Sequence, residues 1–199
     1  MLCELMANHA DFRPLASVKG ICLDLRYASA NNFVGRSLYG QLDCGWLHRE
    51  AAMGLEAAVA WLGQRHPGHI LLVLDALRPH RVQEALWNEL AGTELRQYLA
   101  DPARSSIHSF GMAVDVTLLD SHGAELDMGT GFDEFSLLSH PRHEQRHLDQ
   151  GLLSEAHIAN RLMLRQAMLD GGFTGIMTEW WHFDFGDRAS VREHYLRIE

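Results

Sequence analysis

No apolar run in this chain approaches the roughly 20 residues that a membrane-crossing helix needs. The first residues, Met1-Leu2-Cys3-Glu4-Leu5-Met6-Ala7-Asn8-His9, have neither a basic start nor a long apolar core, so they do not read as a secretory signal. Basic charge is scarce: 17 Lys and Arg face 26 Asp and Glu, for a formal charge of -9. That balance excludes nucleic acid or an anionic membrane surface as the main partner, since both call for a basic patch. Cysteine is scarce too. Cys3, Cys22 and Cys44 are odd in number and lie in the first quarter. They suit reduced thiols and a cytoplasmic setting better than a disulfide framework. No Cys-x-x-Cys pair offers a thiolate metal site. There is no G-x-S-x-G elbow and no glycine-rich phosphate loop. Repeats, low-complexity tracts and linkers are absent.

What remains is an ordinary globular composition of 199 residues, 47% hydrophobic and 22% charged. It suits one domain over 1–199 with a real core. Histidines number 13, enough that some close pairs arise by chance.

The first 20 residues show no period and read as a lead-in. Ile21 to Tyr27 suits a short strand. Apolar residues at helical spacing (Leu47, Ala51, Leu55, Ala58, Trp61, Leu62) predict a helix over 47–64, stopped by Pro67-Gly68. Ile70 to Leu74 is a continuous apolar run, the pattern of a strand buried on both faces. Arg78 follows where this strand opens into a loop, and a helix is expected over 80–98. Met112 to Leu119 alternates, with Met112, Val114, Val116 and Leu118 on one face and Asp115 on the other. Asp120 to Gly123 reads as a hairpin turn. Ser154 is the N-cap of a helix to about Leu169, ended by Gly171-Gly172. A last strand is expected over 176–185. These elements predict an α+β fold, with helices packed on a mainly antiparallel central sheet.

Chemistry concentrates in two stretches. Ser106-Ile107-His108-Ser109-Phe110-Gly111-Met112-Ala113-Val114-Asp115 places a histidine and an aspartate seven positions apart, with Gly111 between them. Glu179-Trp180-Trp181-His182 adds a carboxylate and a second imidazole. Two His and one Asp form a usable zinc set that leaves a fourth position open, and Glu179 then remains as a base. Taken alone, His108 and Asp115 read more readily as a loop histidine and an aspartate on a strand's open face. Glu179 and His182 have opposite strand parity, so a bend or bulge at Trp180-Trp181 is required if both serve one site. A competing motif, His143-Glu144-Gln145-Arg146-His147, matches H-E-x-x-H. Its surroundings from Ser139 to Gln150 are nearly all polar and bounded by Pro141 and Gly151, so it reads as a solvated segment.

The pattern Ser106-x-His108-x-x-Gly111-x-Ala113-x-Asp115 followed by Glu179-x-x-His182 resembles the zinc D-alanyl-D-alanine peptidases. That superfamily also includes some phage endolysins and the hedgehog signalling domain. Three further segments are similar to its dipeptidase branch: Asp24 to Ala28 with Asn32-Phe33, Asp75 to Pro79, and Asp127 to Thr130 with Phe132-Asp133. The resemblance implies a hedgehog/DD-peptidase-like fold and one zinc per chain on His108, Asp115 and His182. It implies Glu179 as general base and Arg78 as the group that steadies the tetrahedral intermediate. Tyr27, Ser106 and Asp133 fall on positions that line the substrate pocket. The implied activity is cleavage of the small dipeptide D-Ala-D-Ala. The alternatives are a carboxypeptidase or peptidoglycan endopeptidase on the same metal site, or a metal-binding module without activity. Oligomeric state is left open.

Overall fold

The structure is a computed structural model. It describes the backbone of residues 1–199 and all side chains but those of Asn8, Gln97 and Tyr98. In chain order the elements are β1 (Phe12–Pro14), β2 (Ile21–Leu23), β3 (Trp46–His48), α1 (Arg49–Arg65), β4 (Ile70–Asp75), α2 (His80–Glu89), β5 (Ala113–Leu119), α3 (Glu144–Asp149), α4 (Glu155–Asp170), β6 (Phe173–Gly175), β7 (His182–Phe185) and α5 (Arg188–His194). The fold is α+β, as expected. Its main sheet has the order β2-β4-β5-β7-β6, and β1 pairs with β3 in a separate ribbon. Only β2 and β4 run parallel; the other pairs in the main sheet are antiparallel.

The apolar run Ile70–Leu74 lies inside the sheet, between β2 and β5, which is why it can be apolar on both faces. One face of the sheet presents Leu71, Val73, Val114, Val116 and Leu118. It joins one core with Leu55, Ala58 and Leu62 of α1 and Leu164, Ala167 and Met168 of α4. The opposite face carries Leu72, Leu74 and Leu119 under Phe132. Asp115 has the parity of that second face, so the helices back the sheet and the chemistry opens on its other side.

Several boundaries differ from expectation for local reasons. The lead-in is structured: Phe12–Pro14 pairs with Trp46–His48, so α1 starts at Arg49 rather than Leu47. The strand at Ile21 stops at Leu23, and residues 26–28 turn in a 3-10 helix that buries Tyr27. α2 ends at Glu89, and a separate 3-10 turn follows at Glu94–Tyr98. The strand expected over 176–185 begins as a loop: only β7 at its end is extended, and β6 lies before residue 176. α4 matches its signals: the Ser154 hydroxyl accepts from His157 N, and His157 Nδ1 accepts from Ser154 N.

The H-E-x-x-H stretch is not the solvated segment its composition suggests. Glu144 and His147 are buried. Glu144 accepts from Arg165 at 2.8 Å, and His147 Nε2 lies 3.1 Å from Leu137 O. The polar side chains are inside because they bond to one another and to backbone, which composition does not reveal. Arg161 of α4 completes the arrangement. It donates to Met128 O at 2.7 Å and Leu138 O at 3.0 Å, so a buried guanidinium holds both ends of the loop that carries Asp133.

α1 and α4 touch where both lack a side chain. A Cβ on Gly54 would sit 2.5 Å from Gly171 O and 2.6 Å from the Phe185 ring. Gly63, in the same helix, has nothing within 4 Å. Helix propensity alone favours alanine at both positions by about 1 kcal/mol. At Gly54 the backbone carbonyl cannot yield, so overpacking of about 1–3 kcal/mol wins. In thermal melts Gly54→Ala is expected to lower Tm, whereas Gly63→Ala raises it slightly. Equal shifts of the two variants would contradict this close crossing.

Candidate functional site

β5 and β7 set the site. Their antiparallel register puts Asp115 opposite His182 and Val114 opposite Phe183. Asp115 and His182 therefore share one face, while Phe183 goes to the core. His108 comes from the 3-10 turn Ile107–Phe110, which Gly111 ends in the left-handed region at φ 65°. A side chain on Gly111 would strike His48 N at 2.8 Å, so glycine is needed here for conformation and for space. Glu179 is in the loop between β6 and β7. The parity conflict is resolved by breaking the strand at 176–181, a larger change than a bulge within it.

Three donor atoms converge. His182 Nδ1 is 3.0 Å from Asp115 Oδ1, His108 Nε2 is 3.4 Å from the same oxygen, and the two imidazole nitrogens are 3.2 Å apart. Tetrahedral ligands bound at about 2.0–2.1 Å stand roughly 3.3 Å from one another, so the triangle has the dimensions of one face of a zinc coordination shell. The other ring nitrogens are fixed from behind. His108 Nδ1 is 2.7 Å from Ala76 O and His182 Nε2 is 2.9 Å from Asp184 Oδ1. A carbonyl and a carboxylate only accept, so both of these nitrogens carry the proton and the inward pair of nitrogens is left for a cation. Burial opposes a charged His182, yet Asp184 and Asp115 push its pKa up to about 10. Burial likewise works against a charged Asp115, but the two histidines hold its carboxyl well below the usual range. A site that binds a proton this firmly is already arranged for positive charge. Among the described residues, no other His, Cys, Asp and Glu side chains form such a cluster. The H-E-x-x-H residues are not part of it.

Arg78 approaches from the end of β4. A register shift between Val73 and Asp75 aligns Asp75, not Leu74, with Asp115. Asp75 thereby turns from the helix-covered face to the site. Its Oδ2 accepts from Arg78 Nε at 2.9 Å and Nη2 at 2.7 Å, and its Oδ1 accepts a short hydrogen bond from Tyr39. Arg78 also donates to Gln83 Oε1 at 2.9 Å and reaches Asp115 Oδ2 at 3.4 Å. Desolvation disfavours its charge, but Asp75 together with Tyr27, Tyr39 and Asp115 more than compensates, so the guanidinium stays protonated.

Tyr27, Arg78, Ser106, Asp133 and Glu179 line one cleft with the triad, of about 230 Å³. That is below the roughly 300–1,000 Å³ of pockets for drug-sized ligands, so the occupant is small. Tyr27 OH donates to Asp133 Oδ2 at 2.8 Å, and the ring of Tyr27 lies under the Arg78 guanidinium. Burial drives the Asp133 carboxyl well above its ordinary pKa; the Tyr27 hydrogen bond and the Arg78 charge oppose this without cancelling it. Glu179 has its pKa raised to about 7, chiefly by burial, with His182 opposing.

All eight side chains expected at the site are thus brought together. Sequence reasoning gave no role to Asp184, Asp75, Tyr39 and Gln83, which hold His182 and Arg78 in place. Asp184 had a signal, since it follows His182 by two positions on a strand and so shares its face. Tyr39 and Gln83 had none.

A cleft that gathers such a triad, a carboxyl of raised pKa and a buried guanidinium is the equipment of a peptidase. The chain belongs to the Peptidase M15 family, described as D-Ala-D-Ala dipeptidase, which matches residues 8–199. It is 39% identical over 168 residues to the D-alanyl-D-alanine dipeptidase of Escherichia coli K12, covering 84% of this chain and 80% of that protein. It is 33% identical over 187 residues to the Streptomyces coelicolor protein of the same name, covering 83% and 86%. The LdcB LD-carboxypeptidase structure shares the fold at a TM-score of 0.50 and 13% identity, over 93% of this chain and 72% of that one.

The raised pKa of Glu179 has a stability consequence in metal-free protein. The folded state holds this proton more tightly than the unfolded chain, so the contribution is present at low pH and lost as pH rises from about 4.5 through about 7. Glu179→Gln removes the ionisation. Urea melts of metal-free protein are expected to show the variant more stable than the parent by about 2 kcal/mol at pH 8, with linkage discounted for the open side of the cleft. At pH 4 the two coincide. A pH-independent difference would contradict the assignment.

Proposed function

We propose that this peptidase hydrolyses D-alanyl-D-alanine to two D-alanines, with one zinc ion held by His108, Asp115 and His182. The observation that supports this most is the closed triangle of donors at the floor of a cleft too small for an extended chain. When bound, zinc supplies Lewis acidity, bringing water toward a pKa of about 7 and polarising the scissile carbonyl. Glu179 takes the proton of the attacking water and passes it to the departing amine, and a pKa near neutrality suits both transfers. Arg78, kept charged by Asp75, donates to the oxyanion as it develops, an effect worth roughly 3 kcal/mol for such donors. Asp133 and Tyr27 receive the substrate's ammonium, whose charge adds to the opposing effects of Tyr27 and Arg78 and allows the buried Asp133 to ionise. Ser106 stands at the cleft with its hydroxyl unused as a helix cap and bonds the substrate near its carboxylate. The three thiols are free, which accords with a cytoplasmic enzyme acting on wall-derived dipeptide.

Metal analysis tests the ligand set. One zinc per chain is expected in the parent. His182→Ala loses it, and His143→Ala keeps it. Glu179→Ala retains zinc but loses several orders of magnitude in turnover, as for removal of a base and not a ligand. Zinc loss from the His143 variant would put the metal on the other motif.

Substrate length separates a dipeptidase from a carboxypeptidase or endopeptidase. An N-acetyl group removes the ammonium and leaves Asp133 without its partner, which costs several kcal/mol. D-Ala-D-Ala is therefore expected to be cleaved about a thousandfold better, by kcat/KM, than N-acetyl-D-Ala-D-Ala. Comparable rates for the two would replace the dipeptidase reading with the carboxypeptidase one.

A further inference from the structure

The groups assigned so far account for the ammonium of a free dipeptide, its scissile bond and its oxyanion. They leave the carboxylate, a full negative charge, with only a hydroxyl. The cleft is not evenly charged. Asp133 and Glu179 line it, and so do Arg188 and Arg192 of α5. Arg188 is already used: its Nε donates to Asp184 Oδ2, and Asp184 also holds His182. Arg192 is not paired with an acid. Its Nε donates to Ser105 O at 3.2 Å and its Nη1 to Arg188 O at 3.4 Å. Both acceptors are neutral carbonyls, and Nη2 has no partner among the described residues. Desolvation disfavours the charge of Arg192, and Arg188 and Arg104 stand close enough to add to this, while only Asp184 acts the other way. Such an arrangement of like charges gains stability when an anion enters it.

The two bonds that Arg192 does make aim it. Ser105 immediately precedes Ser106 and is held at φ 58°, a strained value for a residue with a side chain. A second arginine, Arg197, bonds the Ser105 hydroxyl at 3.1 Å. The turn that presents Ser106 and His108 is thereby tied to α5, and the Arg192 head is fixed beside Ser106. Fixing two of its nitrogens lowers the entropy lost when the third binds a ligand.

We propose that Arg192 is the residue that binds the substrate's terminal carboxylate, together with Ser106. The enzyme then selects free dipeptides by charge at both ends: Asp133 reads the ammonium and Arg192 the carboxylate. This rests on the dipeptidase reading above.

The test uses zinc-loaded enzyme and two substrates, D-Ala-D-Ala and its C-terminal amide. The amide keeps the ammonium and the scissile bond but has no negative charge. Arg192→Ala is expected to lower kcat/KM for the free dipeptide about thirtyfold, mostly through KM, the effect of one lost charge-assisted hydrogen bond. The same substitution changes the amide less than about threefold, so the parent's preference for acid over amide collapses. Arg192→Lys restores part of the preference, since it restores the charge. Equal losses on acid and amide would overturn the proposal, because they would mean that Arg192 only supports Ser105. Unchanged kinetics on both would overturn it as well. If the parent prefers another dipeptide to D-Ala-D-Ala, the substrate reading falls, and the same acid-to-amide comparison on that dipeptide still decides the role of Arg192.

Discussion

The site depends on one buried cation lying between two buried anions. Asp75 and Asp115 are aligned on neighbouring strands, both nearly without solvent, and Arg78 reaches each of them. Two carboxylates placed this way would repel in a medium that screens poorly. Removing one partner from such a group costs roughly 3–5 kcal/mol, much more than a surface ion pair is worth. The arrangement therefore does two jobs. It makes the junction of β4 and β5 stable with Asp75 turned toward the cleft, and it keeps Arg78 charged and rigid at the cleft, as the oxyanion role proposed for it requires. Gln83 takes a further donor of the guanidinium and Tyr39 fixes Asp75 from its other oxygen, so little of the guanidinium's freedom remains to be lost on binding.

A second organising contact comes from behind the cleft. Arg161 bonds Met128 O and Leu138 O and lies 3.4 Å from Thr130 Oγ1. The same hydroxyl accepts from Trp180 Nε1 at 2.8 Å. The loop that offers Asp133 and the loop that offers Glu179 are thus fixed to one another through Thr130, and both to α4. Asp133 and Glu179, the residues proposed to meet the substrate's amine and to act on water, are held at a set separation, although neither lies in a helix or strand.

Much of this was legible in the sequence where a residue's role follows from its own position. The alternation from Met112 to Leu119 puts Asp115 on the face away from the core, and the structure has it there. Gly111 announces a tight approach, and the backbone does pass close to His48. The capping signals at Ser154 and Gly171 fix α4 almost to the residue. What failed depends on pairing between distant segments. The parity of Ile70 to Asp75 gives Asp75 to the helix side, and only the register shift against β5 turns it round. The strand over 176–185 is apolar enough to continue, but a loop bends Glu179 back to the cleft. The polar run after Ser139 looked solvated because the arginines that neutralise Glu144 come from α4, many positions later. Local pattern carries parity and caps; long-range ion pairs and bulges are invisible to it.

The donors of the triangle come from widely separated places: His108 and His182 are 74 positions apart, and Asp115 and His182 are 67. The unfolded chain offers no preformed nest, so a cation can bind with three donors only after β7 has paired with β5. A cation held there would act as a clasp between the middle of the polypeptide and its last quarter. Its binding free energy would be transferred to the native state, in proportion to the logarithm of free metal concentration. Metal supply would then set how often the sheet opens along the β5–β7 seam. Starved protein would lose its grip first along that seam, beside the cleft.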